Sequence, residues 1–184
     1  MSALWVFGYG SLMWRPGFPF EEAVTGRLKG LHRALCIYSW VHRGTEAEPG
    51  LVLGLDRGGS CIGTAFLVRD GDRKNVIEYL REREQVTGVY LETVRPVGLE
   101  DGSGRSVDAV CYRVDVGHAQ YAGKLSIDRQ LEIVRDAKGR SGANRDYVLS
   151  TAAHLKELGI RDIGLERLAN RLHREPSKSD IDFD

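Results

Sequence analysis

Short apolar runs, separated by turns that contain glycine, fill the first two-thirds of this 184-residue chain. Within the first run, Trp5, Phe7 and Tyr9 fall on one face of a strand and the residues between them fall on the other. Several short strands at regular spacing are typical of a β-barrel or a β-sandwich. The runs that we predict as strands are Leu4–Tyr9, Val24–Leu28, Arg33–Tyr38, Leu51–Leu55, Ser60–Val68, Leu91–Leu99 and Val107–Val114.

Helical periodicity interrupts this pattern once and then takes over the last third of the chain. The predicted helices are Asp72–Gln85, Ser126–Lys138, a third from Asn144 that stops at Gly159, and a fourth over about Gly164–His173. The simplest account is one α+β domain over residues 1–175, followed by a polar, flexible tail over residues 176–184.

Charge and hydropathy exclude several classes of protein. Lys plus Arg and Asp plus Glu number 26 each, so no basic excess is left to neutralise a nucleic-acid backbone. No stretch approaches the ~20 apolar residues of a membrane-spanning helix, and no basic segment precedes the apolar run at the N-terminus, which argues against a secretory signal.

The cysteines and histidines argue against a metal site. The three cysteines are Cys36, Cys61 and Cys111; their number is odd, they form no CxxC pair, and each lies in an apolar run. This favours buried structural thiols in a reducing cytoplasm. The five histidines form no pattern that would place two ligands on one helix face, so we predict no structural metal.

Glu84 is the residue whose local pattern is most unusual. At 100° per residue it falls in the same helical stripe as Val76, Ile77 and Leu80, whereas Glu78 and Glu82 fall on the opposite face. Burial raises the pKa of a carboxyl group towards neutrality, where it can act as a general base. The ordinary alternative is that the last turn turns Glu84 to solvent or that an arginine pairs with it, and the helical wheel alone favours this alternative.

Two glycine-containing loops could also contact a ligand. The first, Phe7–Leu12, carries two glycines that flank a tyrosine, but Met13 stands where the dinucleotide fingerprint needs a third glycine, and Ser11 lacks the frame of a nucleophile elbow. The second, Gly139–Asn144, lies between two predicted helices. A turn at a strand end explains the first, and helix capping by Gly139 and Asn144 explains the second.

Four separate segments nevertheless form one ordered pattern between about Trp5 and Leu172. The segments are Val6–Leu12 with Trp14, Arg43–Thr45 with Pro49 and Gly50, Leu80 with Arg83, Glu84, Gly88 and Tyr90, and Gly139 with Ser141, Gly142, Asn144 and Tyr147. Together they resemble the ChaC-like gamma-glutamylcyclotransferase family. Val89 stands where the third segment of the family pattern has its second glycine.

The resemblance implies a fold, an activity and a site. The implied fold is α+β, a compact β-barrel of about six or seven strands with flanking helices. Glu84 is implied as the catalytic general base, and the implied substrate loop is Val6, Phe7, Gly8, Tyr9, Gly10, Ser11 and Leu12. The implied substrate is glutathione, which is split into 5-oxoproline and cysteinylglycine without a metal or an organic cofactor. Neither nucleic acid nor membrane is an expected partner, and a cytoplasmic monomer is the default expectation.

Two alternatives to this function stay open. A cyclotransferase for other gamma-glutamyl amines or amino acids would share Glu84 and the loop, and would differ in the pocket beyond the γ-carbonyl. A non-catalytic, metabolite-binding regulatory module would keep the barrel without the chemistry. The residue at position 84 discriminates the module from an enzyme, and this chain has glutamate there.

Overall fold

The computed structural model describes residues 3–84 and 87–176. The described backbone packs as two compact units, one within the ranges Met1–Ala34 and Gly54–Ala119 and the other within the ranges Leu35–Leu53 and Gln120–Asp184. The single domain over 1–175 stays a prediction, and residues 177–184 of the predicted tail lie outside the described residues. In the part of the chain that the structure covers, no helix is long and apolar enough to cross a membrane.

Five strands close into a barrel in the order β1-β3-β2-β4-β5. Parallel pairing of β1 with β5 closes it, with Trp5 opposite Ala109 and Val6 opposite Val110, and the registers of β1 with β3, β2 with β4 and β4 with β5 are antiparallel. Closure removes the open strand edges that an unrolled sheet would expose. The strands are β1 (Leu4–Gly8), β2 (Glu22–Ser39), β3 (Gly50–Val68), β4 (Tyr90–Leu99) and β5 (Ser106–Val114).

The α+β barrel fold is confirmed, with fewer and longer strands in the barrel than the sequence pattern indicates. The runs predicted on either side of Gly30 are one strand, β2, and those on either side of Gly58 and Gly59 are one strand, β3. These glycines have positive φ angles of 83°, 93° and 65°, and such residues let a strand bend or bulge while it continues. Two further strands of the described residues, β6 (Lys138–Gly139) and β7 (Gly142–Ala143), form a separate two-stranded sheet.

One helix, α1 (Arg73–Glu84), contributes to the core of the first unit. It follows a 3-10 turn at Asp70–Asp72, so it begins one residue later than predicted, and Gln85 at its predicted end lies outside the described residues. Val76 and Leu80 are buried in a hydrophobic cluster with side chains of β1, β3 and β5, and each such burial contributes roughly 1.5–3 kcal/mol. The other members of the cluster are Leu4, Val6, Leu12, Phe18, Phe66, Val68, Val110 and Tyr112.

The second unit contains the remaining helices, α2 (Ile127–Asp136), α3 (Asn144–Glu157) and α4 (Ile163–Arg174). Two of them begin at side-chain caps: Ser126 Oγ accepts from the Arg129 amide at 3.2 Å, and Asp162 Oδ1 accepts from the Leu165 amide at 3.1 Å. Gly159, just after α3, has a φ of 69°, as expected for the glycine that ends a helix. The three predicted helices of this region are confirmed to within a few residues.

The capping role predicted for Asn144 and Gly139 is wrong. Asn144 is the first residue of α3, and its fully buried amide bonds the backbone of Leu51 in β3: Oδ1 accepts from the Leu51 amide at 2.7 Å and Nδ2 donates to its carbonyl at 2.8 Å. α2 ends at Asp136 with Ala137 as its C-cap, and Gly139 lies in β6. Local spacing carries no signal of a hydrogen bond between residues 93 positions apart, so the sequence pattern indicates capping alone.

Candidate active site

Glu84 ends α1 on the face that packs into the core. The side chains of Val76 and Leu80 on this face are buried, whereas Glu78 and Glu82 are exposed. The Glu84 side chain keeps 17% of its surface exposed. The placement of Glu84 in the apolar stripe is therefore confirmed. The arginine pairing of the alternative interpretation is also observed, since Nε of Arg83 lies 3.4 Å from Oε1 of Glu84, whereas the exposure to solvent that it offered is not.

Two features of the surroundings of Glu84 have opposite effects on its pKa. Burial raises the pKa of the Glu84 carboxyl above its ordinary value, and this is the larger effect. The positive charge of Arg83, whose Nε lies 3.4 Å from Oε1 of Glu84, opposes it. A carboxylate with a raised pKa is a better proton acceptor than a free glutamate, which is what general-base chemistry near neutral pH needs.

The predicted substrate loop leads from β1 into a 3-10 helix at Ser11–Met13. The side chains of Val6, Phe7 and Leu12 are buried, and those of Val6 and Leu12 belong to the same cluster as the apolar face of α1. The side chain of Tyr9 is buried as well, whereas Ser11 is exposed. A ligand at this loop could therefore contact its backbone and the Ser11 hydroxyl rather than its apolar side chains.

The two glycines of the loop differ in what they require. A Cβ atom added at Gly8 would lie 3.0 Å from Cβ of Leu12, so the loop folds back closely on the end of β1. Gly10 has a φ of −135° and its carbonyl accepts from the Met13 amide at 2.9 Å, which starts the 3-10 helix. The φ of Gly10 is negative, so a left-handed backbone conformation is not what requires glycine at this position.

Arg83 joins α1 to the loop through several hydrogen bonds. Its Nη2 donates to Oγ of Ser11 at 2.8 Å, and its Nη1 donates at 2.8 Å to the carbonyl of Arg15 and at 2.8 Å to the hydroxyl of Tyr79. The guanidinium also lies over the Tyr79 ring, 6.0 Å from its centroid. The sequence pattern indicated only that an arginine could pair with Glu84; the structure shows that Arg83 contacts both Glu84 and Ser11.

A second arginine, Arg33 in β2, fixes the other end of the loop. Its Nε donates to the carbonyl of Tyr9 at 2.6 Å and its Nη2 donates to the carbonyl of Ile62 in β3 at 2.7 Å. Sequence reasoning missed this residue. The available signal was a charged side chain at the start of an apolar strand run, where a half-buried guanidinium needs carbonyl partners.

Tyr112 in β5 is a further buried polar group near Glu84 that the sequence pattern did not reveal. Its hydroxyl donates to Oε2 of Glu92 at 3.0 Å, and Arg81 binds both oxygens of Glu92 at 2.8 and 2.9 Å. Burial raises the pKa of Tyr112 most, and the charges of Glu92 and Glu84 raise it further. Tyr112 therefore stays neutral and serves as a hydrogen-bond donor at physiological pH.

The other two motif segments come together within the second unit. Nη1 of Arg43 donates to the Ser141 carbonyl at 2.7 Å, and its guanidinium lies 5.3 Å from the centre of the Tyr147 ring. Glycines allow the close packing of this region, since a Cβ atom added at Gly139 would lie 2.6 Å from the amide nitrogen of Gly44. These contacts assign the second and fourth segments a structural role inside their unit.

All three cysteines of the chain are buried as free thiols. They lie in three different strands: Cys36 in β2, Cys61 in β3 and Cys111 in β5. Burial raises the pKa of the Cys111 thiol to about 12, so that this sulfur stays protonated. The prediction of buried structural thiols is confirmed.

Comparison with known proteins points in one direction. Residues 4–175 match the family described as ChaC-like protein. The chain is 37% identical over 165 residues to the glutathione-specific gamma-glutamylcyclotransferase of Escherichia coli (strain K12), an alignment that covers 90% of this chain and 71% of that relative. It is 32% identical over 189 residues to gamma-glutamylcyclotransferase 2-3 of Arabidopsis thaliana, with coverages of 99% and 95%.

Among solved structures, the fold is similar to that of a yeast gamma-glutamyl cyclotransferase specific to glutathione. The TM-score is 0.84, the sequence identity is 22%, and the superposition covers 96% of this chain and 98% of the yeast chain. At this identity the similarity shows the fold, and it agrees with the barrel and helices described above.

Proposed function

The chain belongs to the ChaC-like protein family, and on this basis we propose that it cyclises the γ-glutamyl group of glutathione. The products are 5-oxoproline and cysteinylglycine, so the protein is a glutathione-degrading lyase. Relatives that bear the name of this activity match most of the chain at 30% identity or more.

One observation of the structure carries the chemical part of the proposal. A largely buried carboxylate with a raised pKa, Glu84, ends a helix whose neighbouring residue, Arg83, is bonded to the loop after β1. A proton acceptor thus lies next to a loop that offers backbone groups and the Ser11 hydroxyl. We infer that Glu84 is the general base and that Val6–Leu12 form the substrate loop.

The reaction requires that the substrate be held in a reactive conformation and that a group of the protein accept and return a proton. Glu84 accepts a proton from the α-ammonium group of glutathione, and the freed amine attacks the γ-carbonyl carbon of the same residue. A C–N bond closes a five-membered ring, Glu84 returns this proton to the amide nitrogen of cysteinylglycine, and the γ-amide bond breaks. The ring nitrogen gives up a second proton, which passes to the released amine, so that cysteinylglycine leaves as an ammonium and 5-oxoproline keeps one N–H. Because nucleophile and electrophile belong to one molecule, holding them in a reactive geometry supplies much of the acceleration.

The loop backbone supplies the complementary polar groups. We propose that the N–H groups of Tyr9 to Ser11 bind the α-carboxylate or the oxyanion that develops on the γ-carbonyl. Burial of the Val6, Phe7 and Leu12 side chains anchors this backbone in the core. The same chemistry can proceed without a metal or an organic cofactor. The hydroxyl hydrogen of Tyr112 is donated to Glu92, so Tyr112 is a neutral neighbour of the base and not a donor to the substrate.

The direct test is to incubate the purified protein with glutathione and to measure 5-oxoproline and cysteinylglycine by mass spectrometry. We expect both products in equal amounts. γ-Glutamylcysteine and free γ-glutamyl amino acids in parallel reactions separate a glutathione-specific enzyme from a broader cyclotransferase. If none of these substrates yields 5-oxoproline, the protein is not a cyclotransferase and a binding module takes its place.

Substitution of Gly10 should lower the activity far more than substitution of Glu82. We expect Gly10→Val to lower kcat/KM for glutathione by on the order of 10²-fold, because a branched side chain stands where the loop backbone meets the substrate. Glu82→Gln should stay within about twofold, since Glu82 is exposed on the far face of α1.

Gly71→Val is the matched control for Gly10→Val. Gly71 is exposed, and a Cβ atom added there meets nothing within 4 Å, so the same substitution should leave activity near wild type. Circular dichroism confirms that each variant is folded. Comparable losses for the folded Gly10 and Glu82 variants would show that the loop, or the orientation of α1, is not part of the site.

We further propose that the protein acts as a monomer in the cytoplasm. Three buried free thiols are what a reducing compartment permits. Light scattering of the purified protein and cell fractionation measure the two properties directly.

A further inference from the structure

Arg83 makes more polar contacts than charge pairing with Glu84 requires. Its guanidinium reaches the Ser11 hydroxyl and the Arg15 carbonyl on the loop side, and the Tyr79 hydroxyl on its own helix. Its Nε lies 3.4 Å from Glu84 Oε1, and its side chain is only 24% exposed. One planar group with five N–H donors thus touches both parts of the site proposed above.

We propose that Arg83 is a positioning residue, which holds the Ser11 loop and the Glu84 carboxylate in the one geometry that cyclisation needs. The proposal rests on the function proposed above, since it gives Arg83 a role in that reaction. Arg83 acts through Ser11 and Glu84, and the fork of its guanidinium, rather than its charge alone, is what sets the distance between them.

Two substitutions at position 83 separate the planar, multidentate shape of the guanidinium from its positive charge. A lysine retains the positive charge, but its single ammonium group cannot bond Ser11, the Arg15 carbonyl and Tyr79 at three separate positions. A methionine has about the same length and loses both properties. Comparing the two substitutions therefore reports which property the reaction uses.

The charge has its own expected signature in the pH profile. Glu84 interacts electrostatically with Arg83 from its own helix and with Tyr112 from β5, where Tyr112 is bonded to Glu92. Removing the positive charge of Arg83 removes the influence that lowers the pKa of Glu84 and leaves the burial that raises it. Since the base must be deprotonated to act, the acid limb of kcat/KM then moves to higher pH.

The experiment compares Arg83→Lys and Arg83→Met with the wild type by kcat, KM and the pH dependence of kcat/KM for glutathione. We expect Arg83→Lys to lose roughly 10–100-fold in kcat/KM with an unchanged acid limb. Arg83→Met should show at least the same loss, together with an acid limb that moves to higher pH. Arg69→Lys and Arg69→Met are the matched controls, because Arg69 is an exposed arginine that pairs with Asp72 on the surface.

A double-mutant cycle tests the route through Ser11. If Arg83 acts by holding this hydroxyl, Ser11→Ala added to Arg83→Lys should cost little more than the larger single loss. Losses that multiply would overturn the coupling between the two residues.

The experiment distinguishes an incorrect role for Arg83 from an incorrect function for the protein. If the wild type forms no 5-oxoproline, the function is wrong. If the wild type is active and Arg83→Lys matches it, or if the variants lose activity only in proportion to unfolded protein while KM and the acid limb stay unchanged, then Arg83 is a structural residue. Arg83→Lys retains the charge and most of the length, so it keeps the test valid even if Arg83→Met does not fold.

Discussion

Glu84→Gln should abolish turnover of glutathione while the protein stays folded and still binds its substrate. Glutamine has nearly the shape of glutamate but cannot accept the proton of the substrate's ammonium group. A general base typically contributes roughly 10²–10⁴-fold to the rate, and the loss should fall in that range or reach the detection limit. The measurement is the steady-state rate of 5-oxoproline formation, with glutathione binding followed by calorimetry.

The same substitution at Glu78 provides the matched control. Glu78 lies on the exposed face of α1, 3.9 Å from Lys74, so Glu78→Gln should retain full activity and nearly full stability. Thermal melts of both variants show whether any loss reflects unfolding. Retention of more than a few per cent of the activity by a folded Glu84→Gln protein would remove Glu84 from the role of base.

The second large effect concerns the substrate. N-acetylglutathione should not be turned over, because the acetyl group occupies the amine that must attack the γ-carbonyl. The α-linked peptide Glu-Cys-Gly should also be inert, since attack of its amine on the peptide carbonyl cannot close a five-membered ring. Polar groups left unpaired in the site disfavour both analogues further, by about 1–3 kcal/mol for each group.

Product identification decides between cyclisation and hydrolysis. Glutathione itself is the positive control, measured beside both analogues under the same conditions. Release of cysteinylglycine and N-acetylglutamate from N-acetylglutathione would show that water is the nucleophile. The protein would then be a hydrolase, with Glu84 activating water in place of the amine.

The local sequence pattern correctly predicts those features that depend on one helix or one strand alone. The stripe of Val76 and Leu80 predicts which face of α1 is buried and thereby singles out Glu84, and the apolar runs predict the barrel strands to within a few residues. Glycine was misleading at Gly30 and Gly58, where it was interpreted as a turn. In both strands a positive φ bends a chain that continues, and periodicity does not distinguish the two cases.

The sequence pattern does not predict contacts between residues that are far apart along the chain. Arg83 bonds Ser11 across 72 positions, Arg33 bonds Tyr9 across 24, and Asn144 bonds Leu51 across 93. Each of these is a polar side chain that satisfies groups on another element, and neither spacing nor composition identifies the partner. The ordered resemblance to a family singled out Arg83 and Asn144 as part of a pattern, but not what they do.

The burial of every sulfur nucleophile in the chain has a consequence for how such an enzyme would respond to oxidation. Exchange with a disulfide requires a thiolate that a second sulfur can reach, and Cys36, Cys61 and Cys111 offer no accessible sulfur. Oxidised glutathione would then find no point at which to form a mixed disulfide with the protein. We expect the rate of degradation to follow the concentration of reduced glutathione as a substrate, unmodified by any redox state of the enzyme itself.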